Sequence, residues 1–135
     1  MFKKEYLKIV FCFVAVLFIC SCKKTAGEGG FASIEGKLYV KNYDATFTVL
    51  TSEYYLPGET VYIIYGDGQE IGNTVKTSYD GSFKFNYLQK GKYKVYAIGK
   101  DETKPSLSIP KESLMEVTIT EKKQKKVLED IVIID

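Results

Sequence analysis

The 135-residue chain contains no histidine, no tryptophan and no arginine, so all 19 of its basic residues are lysines. Without histidine it lacks the usual proton carrier near neutral pH and the imidazole of zinc or iron sites. Without arginine it lacks the bidentate clamp for phosphate groups and the commonest reader of guanine. We therefore expect no catalytic residue, no metal and no cofactor.

Cysteine is also scarce, and its placement is uneven. The three cysteines are Cys12, Cys20 and Cys22, all within the first 22 residues. The rest of the chain can form no disulfide, so its stability must come from an apolar core. Hydrophobic residues make up 45% of the sequence, which suits one small globular domain.

The sequence has no net charge of either sign when the N-terminal segment is left out of the count. The formal net charge is +2, but Lys3, Lys4, Lys8 and Glu5 lie in a segment that we expect to be removed. What remains has 16 lysines and 16 acidic residues. Because nucleic-acid binding depends on net positive charge, this balance argues against a nucleic-acid partner.

The N-terminus is typical of a secretory signal. The positive stretch MFKKEYLK precedes twelve apolar residues, Ile9 to Cys20. Such a run is short for a permanent bilayer span and typical of a signal core, although an uncleaved apolar anchor is the alternative.

The end of this run, Ile19-Cys20-Ser21-Cys22, resembles the lipobox of bacterial lipoproteins. The resemblance implies cleavage before Cys22, which then carries the lipid, with Ile19 at the aliphatic position. Cys20 is the competing candidate, but it would place Phe18 and Ile19 at positions that favour small side chains. Acyl chains on Cys22, three in this class, would hold the mature protein on a membrane.

The sequence thus divides into a signal peptide, 1–21, a lipidated flexible tether, 22–30, and a domain, 31–135. Three glycines in KKTAGEGG favour flexibility of the tether. Lys23 after the cysteine, by resemblance, favours the outer membrane of a bacterial envelope. Whether the domain faces the periplasm or the cell surface stays open.

From Phe31 onward the sequence repeats period-two alternation between turn signals, which predicts an all-β, antiparallel sandwich of seven or eight strands. A turn of helix in PKESLMEV is the one alternative, and residues 99–110 are predicted to be a loop. The predicted strands are SIEGKLYVK, ATFTVLT, GETVYIIYG, NTVKTSY, SFKFNYL, KYKVYAIG, LMEVTIT and KVLEDIVIID.

These segments resemble the carboxypeptidase regulatory-like domain, a transthyretin-like, Ig-like sandwich. The resemblance implies a structural, docking or binding module, and some relatives of the fold bind starch-like sugars. One transthyretin-like branch hydrolyses 5-hydroxyisourate with His and Arg residues, which this chain lacks. The matching residues are Gly36, Leu38, Pro57, Gly58, Thr60, Val61, Thr77, Asp80, Gly81, Phe83, Phe85, Leu88, Gly91, Tyr93, Val95 and Ala97.

Several matching positions have physical reasons. Asp80-Gly81 provides the positive φ of a tight hairpin. Phe83 and Phe85 alternate with polar residues and so belong to the core. Tyr93, two residues after Gly91, resembles the tyrosine corner of Ig-like sandwiches, in which a buried ring sends its hydroxyl to the backbone.

Alternation also predicts an outer face with unusual apolar content. If Val61 and Val95 face the core, the residues that face outward are Tyr62, Ile64, Tyr96 and Ile98, joined by Tyr39. This face could bind an envelope protein or a glycan. The alternatives are that an insert, residues 42–56, folds over it, or that the tyrosines merely pair across strands.

Three further interpretations are weaker. An internal isopeptide could join Lys37 to Asp130 or Asp135, although solvated charges are the simpler interpretation. The run EKKQKK, Glu121 to Lys126, could touch anionic lipid but is typical of a solvated hairpin tip. Asp67 between two glycines suits a turn, because a lone acidic residue makes no calcium site.

The sequence therefore predicts a membrane-anchored envelope lipoprotein whose domain is a non-catalytic binding or scaffold module. A carbohydrate-binding module is the first alternative. A small hydrolase is the second, and it would have to work without histidine.

Overall fold

The computed structural model describes residues 3–5, 25–101, 103 and 110–135. The predicted signal core and Cys22 lie outside these residues. No helix formed by the described residues is long and apolar enough to cross a membrane. The strands are β1 (Glu28–Tyr43), β2 (Leu50–Tyr55), β3 (Thr60–Tyr65), β4 (Ile71–Lys76), β5 (Ser82–Leu88), β6 (Gly91–Lys100), β7 (Pro110–Ile119), β8 (Lys125–Val127) and β9 (Ile131–Ile134).

Two sheets form a β-sandwich, which confirms the predicted fold class. The four-stranded sheet has the order β4-β3-β6-β7, and all its neighbouring strands are antiparallel. The five-stranded sheet is built around β1, which pairs antiparallel with β5 along its first part and with β2 along its second. On its other side β1 pairs with β8 and β9, and both pairs are parallel. The five-stranded sheet is therefore mixed.

The core lies between the sheets and follows the alternation in the sequence. Phe83 and Phe85 on β5 are 3% and 2% exposed, and Val61 and Val95 are fully buried. The central strands β1, β3, β5 and β6 therefore give one side to the core, as the period of two requires, whereas β2 is exposed along its length. The other buried hydrophobic residues of this cluster are Ala32, Ile34, Leu38, Val40, Ile63, Leu88, Tyr93, Ala97, Val117, Ile119, Ile131 and Ile133.

Three boundaries differ from those predicted. β1 begins at Glu28, inside the predicted tether, and the C-terminal stretch forms two strands instead of one. PKESLMEV contributes to β7, so the helical alternative is wrong.

The insert, 42–56, gives its first two residues to the end of β1, and its own strand, β2, begins only at Leu50. Before it, the Asp44 carboxylate accepts hydrogen bonds from the backbone N–H groups of Thr48 and Val49 and from the Thr46 hydroxyl. These bonds lower the pKa of Asp44 to about 2, with the Thr46 hydroxyl as the largest cause. The aspartate thus closes a loop where β-branched residues predicted a strand.

Gly81 and Tyr93 adopt the predicted backbone conformation and contacts, but the turn at Asp80-Gly81 joins β4 of one sheet to β5 of the other and so is not the predicted hairpin. Gly81 has φ 76°, in the left-handed region that favours glycine. The Tyr93 ring is 1% exposed, and its hydroxyl lies 2.7 Å from the carbonyl oxygen of Gln89 and 3.0 Å from the amide nitrogen of Gly27. The tyrosine corner therefore ties the start of β1 to the β5–β6 turn.

The charges proposed for an isopeptide have other partners. Lys37 lies 3.8 Å from Asp80, and Asp135 pairs with Lys100 at 2.7 Å. Asp130 accepts a hydrogen bond of 2.8 Å from the Tyr55 hydroxyl. Neither aspartate forms an ion pair with Lys37, although Asp130 binds the hydroxyl of Tyr55, whose ring centroid lies 4.7 Å from the Lys37 ammonium group.

Tyr65 is expected to make the domain less stable at alkaline pH. Burial, followed by the hydrogen bond to Glu28, raises the pKa of Tyr65 from 10.0 to about 12. The folded state thus favours the neutral phenol, and this stabilisation is complete below pH 10 and lost as the pH rises through 12.

We expect Tyr65→Phe to flatten the fall in unfolding free energy across this pH range. Urea unfolding at several pH values, beside a titration of tyrosinate absorbance, measures the effect. An unchanged pH profile in the variant would show that Tyr65 is not the responsible group.

Candidate functional site

Tyr62 on β3 and Tyr96 on β6 stand side by side on the outer face of the four-stranded sheet. The antiparallel register places them directly opposite each other. Their rings stack with centroids 4.9 Å apart and planes inclined by 12°. Because their neighbours Val61 and Val95 are fully buried, both tyrosines point away from the core.

Aliphatic side chains extend this pair across all four strands. Leu114 on β7 lies opposite Tyr96 and is 45% exposed, and Ile98 is 39% exposed. Ile71 on β4 pairs with Ile64 and is 52% exposed. We call this surface the Tyr62 face and define it by Tyr62, Ile64, Ile71, Tyr96, Ile98 and Leu114. It is a continuous apolar band of the kind that marks interaction sites.

Polar and charged residues border the band. Lys94 lies opposite Ile64 on one side and Glu116 on the other. Glu112 lies opposite Ile98, and Thr74 lies opposite Tyr62. An apolar centre with a polar rim is the usual composition of a protein interface.

Tyr96 is shielded by its immediate neighbours, and it is only 6% exposed. Burial, then the charges of Glu112 and Tyr62, raises the pKa of Tyr96 above its ordinary value. The raised pKa keeps the phenol neutral, so it serves the face as a packed ring and not as a proton carrier.

The structure brings four of the five predicted face residues together. Tyr62, Ile64, Tyr96 and Ile98 share one face, but Ile64 is 8% exposed, so it and Tyr96 are buried although they point outward. Tyr39 lies on β1 in the other sheet, where its ring meets that of Tyr55 edge-on at 5.1 Å. The prediction that Tyr39 joins the face is therefore wrong.

The strand of the insert does not lie over the Tyr62 face, although Tyr54 and Leu56 line a cavity with Ile98 at one edge of it. Its strand β2 pairs with β1, with Tyr54 opposite Val40 and Tyr55 opposite Tyr39. This places β2 in the five-stranded sheet, on the other side of the core. Contact with the strand of the insert therefore does not explain why Tyr62 and Tyr96 face outward from the four-stranded sheet.

Sequence reasoning missed Leu114 and Ile71. Val117 and Ile119 on β7 face the core, so alternation in LMEVTIT already places Leu114 on the outside. Ile71 gave no comparable signal, because a register shift between Ile63 and Ile64 sets its pairing.

A groove of about 560 Å³ lies elsewhere, lined by residues that include Lys37, Lys76 and Lys84. Lys84 lies 3.6 Å from Glu35, and Lys37 lies 3.8 Å from Asp80. Two of its cations already have carboxylate neighbours, so this groove is the weaker candidate. In the described part of the chain no three acidic side chains gather into a metal site.

Comparison with known proteins gives one solved structure to report. No family model and no curated protein matches the chain. A solved structure of a "putative carbohydrate binding protein" from Pseudomonas aeruginosa superposes with a TM-score of 0.45 and 16% sequence identity. The superposition covers 81% of this chain and 92% of that one.

Proposed function

We propose that the chain is a bacterial envelope lipoprotein, anchored through Cys22, whose sandwich acts as a non-catalytic binding or scaffold module. The observation that carries the binding role is the Tyr62 face, an apolar band on the outside of the four-stranded sheet that the strand of the insert leaves uncovered. We propose an envelope protein as its partner and the outer membrane as its location.

The shape and composition of the face support a protein partner. The residues with large exposed fractions, Ile71, Ile98 and Leu114, are aliphatic. They lie on an open sheet, whereas small-molecule sites are usually concave pockets that enclose the ligand. An aliphatic band on a sheet is suited to a second protein surface that excludes water from it.

A glycan is the second candidate, and the tyrosine pair is the observation that favours it. Sugars stack on the open faces of aromatic rings. Here each ring stacks on the other, and Tyr96 is 6% exposed, so only the outer side of Tyr62 could accept a sugar. Glycan binding that is lost in Tyr62→Ala would support this candidate over a protein partner.

The anchor is tested by a matched pair of cysteine variants. We expect Cys22→Ala to abolish incorporation of a labelled fatty acid and Cys20→Ala to leave it unchanged, because only Cys22 is the proposed lipid carrier. Intact mass of the mature chain should show cleavage before Cys22 and the added acyl groups. Lipid on Cys20, or a chain that still begins at Met1, would contradict the proposed anchor.

The face is tested by placing a charge at its centre. We expect Leu114→Asp to reduce partner recovery in a quantitative pull-down about tenfold or more, because the interface would bury an unpaired carboxylate. Val132→Asp is the control, since Val132 is 43% exposed on the other sheet and Leu114 is 45% exposed.

Both substitutions are at exposed strand positions, so their unfolding free energies should stay close to that of the wild type. Equal recovery with Leu114→Asp and Val132→Asp would exclude the Tyr62 face as the partner's site.

A further inference from the structure

The chain is fixed to the sandwich almost as soon as the proposed tether leaves the lipid. Gln89 donates a backbone hydrogen bond of 2.9 Å to the carbonyl oxygen of Gly27, and its side-chain amide donates one of 2.7 Å to that of Glu28. Ala26 packs closely on Gly91. A Cβ added at Gly91 would lie 2.7 Å from the Cβ of Ala26. The described chain is therefore held in place from Ala26 onward.

This attachment leaves few residues between the lipid and the domain. Three residues, Lys23 to Thr25, separate Cys22 from Ala26, and a fully extended chain spans at most about 14 Å over these four residue steps. If Cys22 carries the lipid, as proposed above, this end of the sandwich must lie close to the bilayer surface. We call it the tether end and define it by the start of β1, the β5–β6 turn and the β7–β8 turn.

Two large aromatic side chains are exposed at the tether end. Ala32 and Leu88 pair between β1 and β5 and are buried, so the preceding residues, Phe31 and Tyr87, point to solvent. Phe31 is 65% exposed and Tyr87 is 73% exposed. Aromatic residues at such positions suit the boundary between lipid headgroups and acyl chains.

The backbone at Tyr87 has an unusual conformation. Its φ is 59°, in the left-handed region that is costly for a bulky side chain. Strain of this kind persists where the surrounding structure fixes it, and it concentrates at functional positions.

Three lysines lie in the turns of the tether end, and one of them contacts Phe31. The ammonium group of Lys122 lies 5.3 Å above the ring of Phe31, Lys123 is its neighbour in the β7–β8 turn, and Lys90 lies in the β5–β6 turn. Two acidic residues lie at the tether end as defined above, Glu28 at the start of β1 and Glu121 in the β7–β8 turn. The β3–β4 turn, with Asp67 and Glu70, lies at the same end of the other sheet, because Gly66 donates a backbone hydrogen bond to Lys92 at the start of β6. The Glu28 carboxylate accepts hydrogen bonds from Tyr65 and Asn73.

We propose that the tether end docks on the anionic surface of the membrane, with Phe31 and Tyr87 at headgroup depth and Lys90, Lys122 and Lys123 near the lipid phosphates. This inference rests on the proposed anchor at Cys22. Lipidation brings the tether end to the surface, and the aromatic and cationic contacts then fix its orientation. The strands stand up from the bilayer, and the Tyr62 face is presented sideways.

The absence of tryptophan makes the docking directly measurable. Single-tryptophan forms of the full lipoprotein, Phe31→Trp, Tyr87→Trp and Tyr79→Trp, would be placed in vesicles that contain phosphatidylglycerol and brominated lipid. Tyr79 is the control, because it is 96% exposed in the β4–β5 turn, far from the start of β1. We expect bromine to quench the indole strongly at positions 31 and 87 and little at position 79.

The charge contribution has its own readout. Lys122→Gln and Lys123→Gln should each weaken docking about fivefold, measured as the loss of quenching at position 31 on anionic vesicles. Added salt should also weaken docking, because it screens the attraction between the lysines and the lipid phosphates. Tyr87→Asn should also weaken it while the fold is kept, because asparagine tolerates positive φ.

Flotation of the same vesicles separates the two proposals. Protein that floats with the vesicles but shows equal quenching at positions 31, 87 and 79 would overturn the docking and leave the anchor intact. Protein that does not float would overturn the anchor, and the docking with it.

Discussion

Replacing Tyr93 with alanine lowers the free energy of unfolding by about 3 to 5 kcal/mol, the usual cost of removing a large buried ring. The ring is 1% exposed and meets the Tyr65 ring edge-on, with centroids 5.8 Å apart. Its hydroxyl also joins Gly27 to Gln89, so the substitution opens a cavity and releases the start of β1. The total free energy of unfolding of a small domain is about 5 to 15 kcal/mol, so this loss is a large part of it.

Tyr93→Phe separates the two contributions. It keeps the ring but leaves the amide of Gly27 and the carbonyl of Gln89 without their partner, at a cost of about 1 to 3 kcal/mol. Urea unfolding of the wild type and both variants gives the three free energies. If alanine cost no more than phenylalanine, the ring would not be part of the core.

The second large effect is expected at Gly30. A Cβ at this position would overlap the carbonyl group of Leu88, which is backbone and cannot turn aside as a side chain can. β1 and β5 would have to separate, so we expect Gly30→Ala to cost about 3 kcal/mol, at the upper end for overpacking.

Gly68→Ala is the matched control for this steric effect. The nearest atom to a Cβ there is the carbonyl oxygen of Tyr65 at 3.7 Å, an ordinary contact. Its expected effect stays within about 0.5 kcal/mol, in either direction. Similar unfolding free energies for the two variants would contradict the close approach of β1 and β5 at Gly30.

Much of the core could be predicted because alternation holds without a break on the central strands. Val61, Ile63, Val95 and Ala97 were expected inside and are fully buried. Asp80-Gly81 and Tyr93 were also predictable, since a positive φ and a buried hydroxyl each restrict the residue type.

Other parts of the fold left no local signal. β8 and β9 are joined by Leu128 to Asp130, and the amide of Leu128 bonds to the carbonyl oxygen of Glu35. That bond depends on β1, which lies about ninety residues earlier in the chain. Pairing partners of this kind are set by tertiary structure, which strand propensity does not encode.

The sequence predicted which side of the sheet the residues of the Tyr62 face point to, but not how exposed each of them is. Period two places Tyr96 and Ile64 on the outside, and the structure agrees. Their burial comes from neighbours across the strands, Tyr62 and Leu114 beside Tyr96 and Ile71 beside Ile64. Burial on a sheet surface depends on register, which a single sequence does not specify.

The central claim is that the Tyr62 face is the surface that binds the partner. Its most direct test is site-specific photo-crosslinking in cells, with a photoreactive residue at Leu114 and, in a second strain, at Val132. The account predicts a strong crosslinked species from position 114 and little or none from position 132. Crosslinking from position 132 but not from position 114 would contradict it.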